Sequence, residues 1–505
     1  MSTQGIVSDL IATGKDNDRA IGAPDRPDMT FGDLRNHCRS LVRQLAAKGI
    51  GPGDRVAIVL PNGPEMATAF LAVASGLSAA PLNPAYKESE YAFYLEDLKP
   101  KLVLVDSGSE NPVVAAAAKL RIPVAEIQIA DGAPAGAFRL WVEETDATKP
   151  GPSDEALVLH TSGTTSRPKV VPLTQANLFA SAGNIAGTLN LTPDDHCLNI
   201  MPLFHIHGLI AVVLSSMKAG ASVCCSPGFN ALKFFDMAVD QQPTWYSGVP
   251  TMHQAILLRA ARNPDAVAKL SFRFVRSSSA SLPPAVFEQL SKTFGCPVIE
   301  AYGMTEATHQ MASNPLPPGV QKPGSVGLPA GPEICILDTE GNKLPNGSVG
   351  EVCIRGDNVT PGYENNPKAN AESFTDGWFR TGDQGLLDED GYLKITGRIK
   401  EIINRGGEKV SPLEVDDVLM EHPAVQQIVT FAMPHKMLGE EVAAAVVLAD
   451  GAEADEGDLK TFASERLSAF KVPKTFVFLD EIPKGATGKM QRIGLAEKLG
   501  LGSDA

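Results

Sequence analysis

Cysteine is scarce in this chain, and what there is lies scattered. Seven occur in 505 residues: Cys38, Cys197, Cys224, Cys225, Cys296, Cys335 and Cys353. The number is odd and no pair has CxxC spacing, which argues against a zinc site or a secreted disulfide framework and points to a reducing compartment. Basic residues are also short: 44 Lys plus Arg against 59 Asp plus Glu leave a net charge of −15. That balance argues against non-specific binding to nucleic acid, which needs an excess of Lys and Arg. No apolar run is long and clean enough for a membrane span. The most apolar window, residues 198–217, carries Pro202, His205 and His207 and so belongs to a core. The first residues show no basic stretch followed by an apolar one, and the last four are not Ser-Lys-Leu-like, so the expected location is the cytoplasm. Internal repeats and low-complexity tracts are missing as well.

What remains is the composition of a globular protein, and its length predicts two to four structural units at roughly 150 residues each. Leu34, Cys38, Leu41 and Leu45 share one helical face, with Gly49 as a stop. Residues 55–60 (RVAIVL) and 102–105 (LVLV) are short apolar strands, with a helical run over 65–75 between them. Such strands alternating with helices predict an α/β fold, with parallel-rich sheets flanked by helices. The pattern lasts to about residue 390. Beyond it, Ser411-Pro412-Leu413-Glu414 reads as a helix start, with a cap, a first-turn proline and an acid three residues on. Strands at 428–432, 442–448 and 475–479 and a helix over 459–467 complete a small α+β unit. The boundary falls near Lys400, giving domains 1–399 and 400–505.

Four segments carry chemistry. Thr161-Ser162-Gly163-Thr164-Thr165-Ser166-Arg167-Pro168-Lys169 follows an apolar strand at 156–159 and is rich in hydroxyls, with two cations. Hydroxyls, loop amides and cations suit phosphate oxygens, although a solvated Ser/Thr turn has the same composition. It is no Walker loop, because Pro168 stands at the second glycine, and Val170 and Val171 suggest a join between two strands. Tyr302-Gly303-Met304-Thr305-Glu306 combines an aromatic, a backbone that permits close approach, a hydroxyl and a carboxylate able to hold Mg²⁺; a surface turn with a core tyrosine is the alternative. Asp383 after Gly382 can accept both hydroxyls of a ribose, or make an Asx turn. Lys489, in Pro483-Lys484-Gly485-Ala486-Thr487-Gly488-Lys489, is either a mobile charge for an anionic transition state or an exposed lysine.

In this order, and with Gly397-Arg398-Ile399-Lys400-Glu401, the segments resemble the adenylate-forming superfamily of acyl-CoA synthetases, peptide-synthetase adenylation domains and firefly-type luciferases. The resemblance spans about residues 30–495. It implies a large ATP- and acid-binding domain and a small mobile C-terminal domain. Thr161, Ser162, Gly163, Thr164, Thr165 and Lys169 would form the phosphate loop. Ala301 and Tyr302 would lie at the adenine, Thr305 at phosphate, and Glu306 would hold Mg²⁺. Asp383 and Arg398 would hold the ribose, Lys400 would be the hinge, and Lys489 would serve the first half-reaction. Arg405, Gly406 and Gly407 would line the CoA tunnel. The implied co-substrates are ATP and CoA. One departure is Val170, where the family usually has glycine after the loop lysine; Ser166 likewise replaces a frequent glycine.

The acid pocket implied by the resemblance is polar here. Residues 276–281 read RSSSAS, residues 307–309 read ATH, and His205 and His207 lie on the facing stretch. A fatty chain wants apolar walls, whereas buried hydroxyls and imidazoles suit a second polar group on a short acid. The wording of residues 159–169, 300–309 and 402–409 resembles the oxalate–CoA ligase branch. That resemblance implies contacts from Ser279 and His309 to oxalate. His205 is a candidate catalytic and acid-binding residue, with Lys489 and Thr305 the other catalytic candidates, or it simply guards the adenylate face; His207 either faces the site or is a satisfied core histidine. Malonate, another short-chain acid, a medium-chain acid or a stand-alone adenylation activity are the alternatives. A monomer or homodimer is expected.

Overall fold

The computed structural model describes residues 5–161, 168–483 and 490–501. Two large sheets dominate the first 330 residues. In the six-stranded one the strands run in the order Val124–Glu126, Leu102–Val105, Arg55–Val59, Ser78–Pro81, Glu155–His160, Val170–Thr174. All its pairs are parallel except the last, a hairpin whose arms enclose residues 161–169. Leu102–Val105 is buried at all four positions, as a strand covered by helices on both faces must be.

The nine-stranded sheet is parallel through its middle. There Trp245–Gly248, Phe274–Ser277 and Val298–Met304 lie side by side. Antiparallel pairs close its edges, including Val298–Met304 with His309–Ser313. The carboxyl ends of these parallel strands carry the polar stretches singled out from the sequence, where α/β sheets bind ligands.

Helix Phe31–Ala46 buries Phe31, Leu34, Cys38, Leu41 and Leu45, the face expected from their spacing, and Thr30 caps it by accepting from Asp33 N. Each such buried leucine is worth about 1.5–3 kcal/mol. Helix Pro64–Gly76 is buried almost all round, so it is sandwiched between the sheets rather than amphipathic. All seven cysteines are free and buried. Among the described residues no helix is long and apolar enough to cross a membrane.

A five-stranded antiparallel sheet follows, ending with Trp378–Leu387 paired to Leu393–Arg398. The next strand, Ile403–Arg405, belongs to a separate sheet of five with Glu408–Val410, Val425–His435, Gly439–Leu448 and Thr475–Phe478. Sheet membership thus changes between residues 398 and 403. Ser411 Oγ caps helix Pro412–Leu419 by accepting from Glu414 N at 3.2 Å. The reciprocal half of a capping box is not made: the Glu414 carboxylate accepts from Lys471 at 2.6 and 2.7 Å, because a full cation is the stronger partner.

Candidate functional site

Strand Val298–Met304 delivers residues 301–306 to the head of the parallel sheet. Gly303 is required there. A Cβ on it would lie 1.8 Å from the carbonyl oxygen of His309, on the chain doubling back. Tyr302 donates its hydroxyl to Oδ2 of Asp383, and Arg398 Nε lies 2.8 Å from Oδ1 of the same carboxylate. Asp383 and Arg398 face each other across one antiparallel pair, which fixes this contact by register. Gly382, at φ +74°, turns the strand so that its N–H donates to Glu351 at 3.0 Å. Burial first, and the Asp383 carboxylate second, push the Tyr302 phenol well above its ordinary range, so it remains a donor. Ala301 is buried beside it and Thr305 half-buried at the following turn.

A second cluster lies around Glu306, 6% exposed. Tyr363 donates to its Oε1 at 2.8 Å, and Lys169 Nζ sits 4.1 Å from the centre of the Tyr363 ring. A cation over an aromatic face is attracted by the negative face of the ring. Thr161 and Lys169 close the base of the loop, backbone N to O at 2.9 Å, with Lys169 N donating to Thr161 Oγ1 at 3.0 Å. Val170 is the buried first residue of a strand, paired with His160, so a β-branched side chain suits its extended backbone there. Ser162, Gly163, Thr164, Thr165 and Lys489 lie outside the described residues.

Among the described residues no three His, Cys, Asp or Glu side chains form a metal cage. A single buried carboxylate, Glu306, is nevertheless a donor that suits Mg²⁺, which takes one or two carboxylates and leaves the rest to phosphate and water. Tyr363 carried no distinguishing signal in the sequence beyond an aromatic after Pro361-Gly362.

The third cluster is the acid-pocket candidate. Ser279 (φ +74°) and His309 (φ +92°) both hold left-handed backbone conformations, as does Thr308 (φ +49°). Such residues cost about 1–3 kcal/mol each and gather at functional sites. Ser279 Oγ lies 3.0 Å from Nδ1 of His207, whose Nε2 lies 2.7 Å from Ser247 Oγ. The His207 and His309 rings are 5.0 Å apart. His207 is fully buried with both ring nitrogens bonded, as a satisfied core histidine would be, and one of its partners is the serine chosen from the sequence. His205 is half-buried, and its Nδ1 accepts from His207 N at 3.4 Å. His207 opens a π-helix, His207–Leu214, a rare form that recurs at functional sites. Arg276, fully buried and 3.4 Å from His207 Nε2, was read only as part of a polar run. A cavity of 470 Å³ opens beside this segment, lined by Pro202 and Phe204 together with Asn62, Tyr86, Phe229 and Met252.

In the small domain Lys400 is exposed just past the Leu393–Arg398 strand. Gly406 (φ +59°) and Gly407 (φ +98°) form the two-residue turn of a hairpin that needs positive φ at both positions. The Arg405 guanidinium is held by both oxygens of Glu441, at 2.5 and 3.0 Å, so its charge is committed within its own sheet.

Residues 11–364 match the AMP-binding enzyme family, and residues 414–489 match the AMP-binding enzyme C-terminal domain. The chain is 47% identical to an oxalate–CoA ligase of Arabidopsis thaliana, over 94% of each chain. It is 45% identical to an oxalate–CoA ligase of Saccharomyces cerevisiae, over 88% of this chain and 86% of that one. The ATP-bound crystal structure of MatB from Rhodopseudomonas palustris superposes with a TM-score of 0.88, at 30% identity over 99% of both chains. The motifs, the two-part fold and these likenesses agree: the chain belongs to the AMP-binding, adenylate-forming enzyme family.

Proposed function

We propose that this chain is an ATP-dependent acid–CoA ligase acting in the cytoplasm, with oxalate as its preferred acid. The observation that carries the reading is convergence. Residues far apart in sequence meet as two clusters, Tyr302–Asp383–Arg398 and Lys169–Tyr363–Glu306. The names of the Arabidopsis and Saccharomyces relatives and the polar acid pocket support oxalate.

In this reading the carboxylate of the acid attacks the α-phosphate of ATP. Pyrophosphate leaves and an acyl-adenylate forms. The thiol of CoA then attacks the acyl carbonyl and releases AMP. Asp383 accepts the ribose hydroxyls, oriented by Tyr302 and Arg398, and Tyr302 and Ala301 border the adenine. Thr161, Ser162, Gly163, Thr164, Thr165 and Lys169 surround the departing phosphates, and Thr305 donates to the phosphate under attack. Lys489 adds charge to the transition state of the first step. Glu306 would hold Mg²⁺, steadied by the Tyr363 hydroxyl; the ion, when bound, offsets phosphate charge.

Ser279 and His309 receive the acid, with His205 guarding the adenylate face. The two steps need different groups at one carbonyl, which a small domain turning about Lys400 can supply, bringing the Arg405-Gly406-Gly407 turn to CoA. The test is a panel of carboxylates with ATP, Mg²⁺ and CoA, scored by AMP release. Oxalate should lead. Release with a longer acid and none with oxalate would overturn the substrate; no release with any acid would overturn the ligase reading.

A further inference from the structure

Arg276 lies on strand Phe274–Ser277, directly across from Ser247 on the neighbouring strand. Its side chain has no exposed surface. Nη1 donates to Ser247 Oγ and to His207 Nε2, both at 3.4 Å, and Nη2 donates to Gln310 Oε1 at 3.2 Å. Gln310 is oriented for this by its own amide, which donates to Thr188 Oγ1 and the Ala330 carbonyl. Nε has no partner among the described residues, and no described carboxylate is within ion-pair distance of the guanidinium.

Elsewhere this fold pairs its half-buried arginines with acids: Arg55 with Glu155 and Glu364, and Arg492 with Asp416. A fully buried cation surrounded only by neutral dipoles is destabilising unless an anion comes from outside the fold. Burial pushes the guanidinium down to about 9, which still leaves it charged at neutral pH.

The contacts around it have a direction. A guanidinium can only donate, so Nη1 donates to Ser247 Oγ, which leaves the Ser247 hydroxyl proton for His207 Nε2, 2.7 Å away; the weaker Nη1 contact to Nε2 calls for the same lone pair on that nitrogen. The ring proton then sits on Nδ1 and is donated to Ser279 Oγ, 3.0 Å away. With its oxygen already accepting, Ser279 has its own hydroxyl proton left to offer. The positive charge of Arg276 thus reaches the pocket as a hydroxyl that donates, which suits an anionic group and not a methyl or alkyl one.

We propose that Arg276 is the counter-charge for an acid bearing a second anionic group, and that it selects such acids by polarising His207 and Ser279. This rests on reading the Ser279–His309 pocket as the acid site. Arg276 is a positioning residue: it acts through His207.

The experiment uses the full chain as Arg276→Met and Arg276→Lys, with oxalate, acetate and ATP varied in turn and thermal stability measured without substrate. Arg276→Met should raise the KM for oxalate about ten- to hundredfold, the effect of losing one charged hydrogen-bond partner. The KM for ATP and the kcat/KM for acetate should stay near wild type. Its melting temperature should hold or rise, because a buried charge has been replaced by an apolar group of similar volume. Arg276→Lys should recover part of the oxalate affinity.

An unchanged oxalate-to-acetate ratio in Arg276→Met would overturn the inference and leave the oxalate reading standing. So would parallel loss of both acids with a fall in stability, the mark of an ordinary structural residue. A wild-type enzyme that ignores oxalate but prefers malonate to propionate, with that preference lost in Arg276→Met, would overturn oxalate and support Arg276. A wild-type enzyme with no preference for dianions would overturn both.

Discussion

The Tyr302 hydroxyl donates to one oxygen of the Asp383 carboxylate while Arg398 holds the other. A side chain proposed to lie beside the adenine is thereby also a strut for the carboxylate proposed to take the ribose. Tyr302→Phe keeps the ring and removes the strut. The KM for ATP should rise by roughly tenfold, the loss of one hydrogen bond to a charged group, and the KM for the acid should not move. Steady-state kinetics with each substrate varied separately would check this. An unchanged KM for ATP would mean that the hydroxyl does not orient Asp383.

Lys489→Ala should abolish adenylate formation, by on the order of a hundredfold or more, since one transition-state contact of this kind is worth a few kcal/mol. Thioester formation from supplied acyl-adenylate should survive. Equal loss of both half-reactions in single-turnover assays would show that the lysine is not confined to the first.

Lys400→Pro fixes φ at about −65° in the segment where sheet membership changes. Adenylation should be less affected than thioester formation if the frozen arrangement is the adenylating one. Wild-type rates for both steps would remove Lys400 as the pivot.

His309→Ala keeps a β-carbon, so the left-handed backbone at φ +92° remains equally strained and only the imidazole is lost. The KM for oxalate should rise far more than that for ATP, and the gap between oxalate and a short monocarboxylate should narrow. An unchanged preference would assign the second carboxylate to other groups.

Glu300 is buried, its Oε1 accepts from Leu282 N at 3.0 Å, and burial raises its pKa from 4.5 to about 8. A carboxyl raised in the folded state holds its proton there while the unfolded chain has lost it. Stability therefore falls as pH rises from about 4.5 towards 8 and levels off above that. Glu300→Gln keeps the acceptor without the ionisation. Its melting temperature should exceed that of wild type at pH 8.5, by roughly 2–4 °C per kcal/mol, with the gap closing towards pH 5. Parallel curves across that range, by calorimetry, would exclude Glu300 as the source.

Periodicity made much of this fold legible. Leu34, Cys38, Leu41 and Leu45 marked a buried helix face, and the run at 102–105 marked a strand covered on both sides. Motif wording singled out Asp383, Glu306 and Ser279, and each lies in one of the three polar clusters. It missed Tyr363 and Arg276, whose importance depends on what lies across from them: a carboxylate 57 positions away for one and a histidine 69 positions away for the other. A single chain read in order shows which polar groups are present but not which remain without a counter-charge once folded. The bond between His207 and Ser279 has the same origin, since only the tertiary structure brings the two side chains together.

The π-helix at His207–Leu214 gives this pocket an unusual tolerance of a change in length. A π turn holds more residues than an α turn, so removing one residue from the segment would let it tighten towards ordinary α geometry with its backbone hydrogen bonds intact. The looser winding lost and the residue lost offset each other, so His207 would keep nearly its present orientation towards Arg276 and Ser279. The same deletion in an ordinary α-helix would turn it by about 100° around the axis.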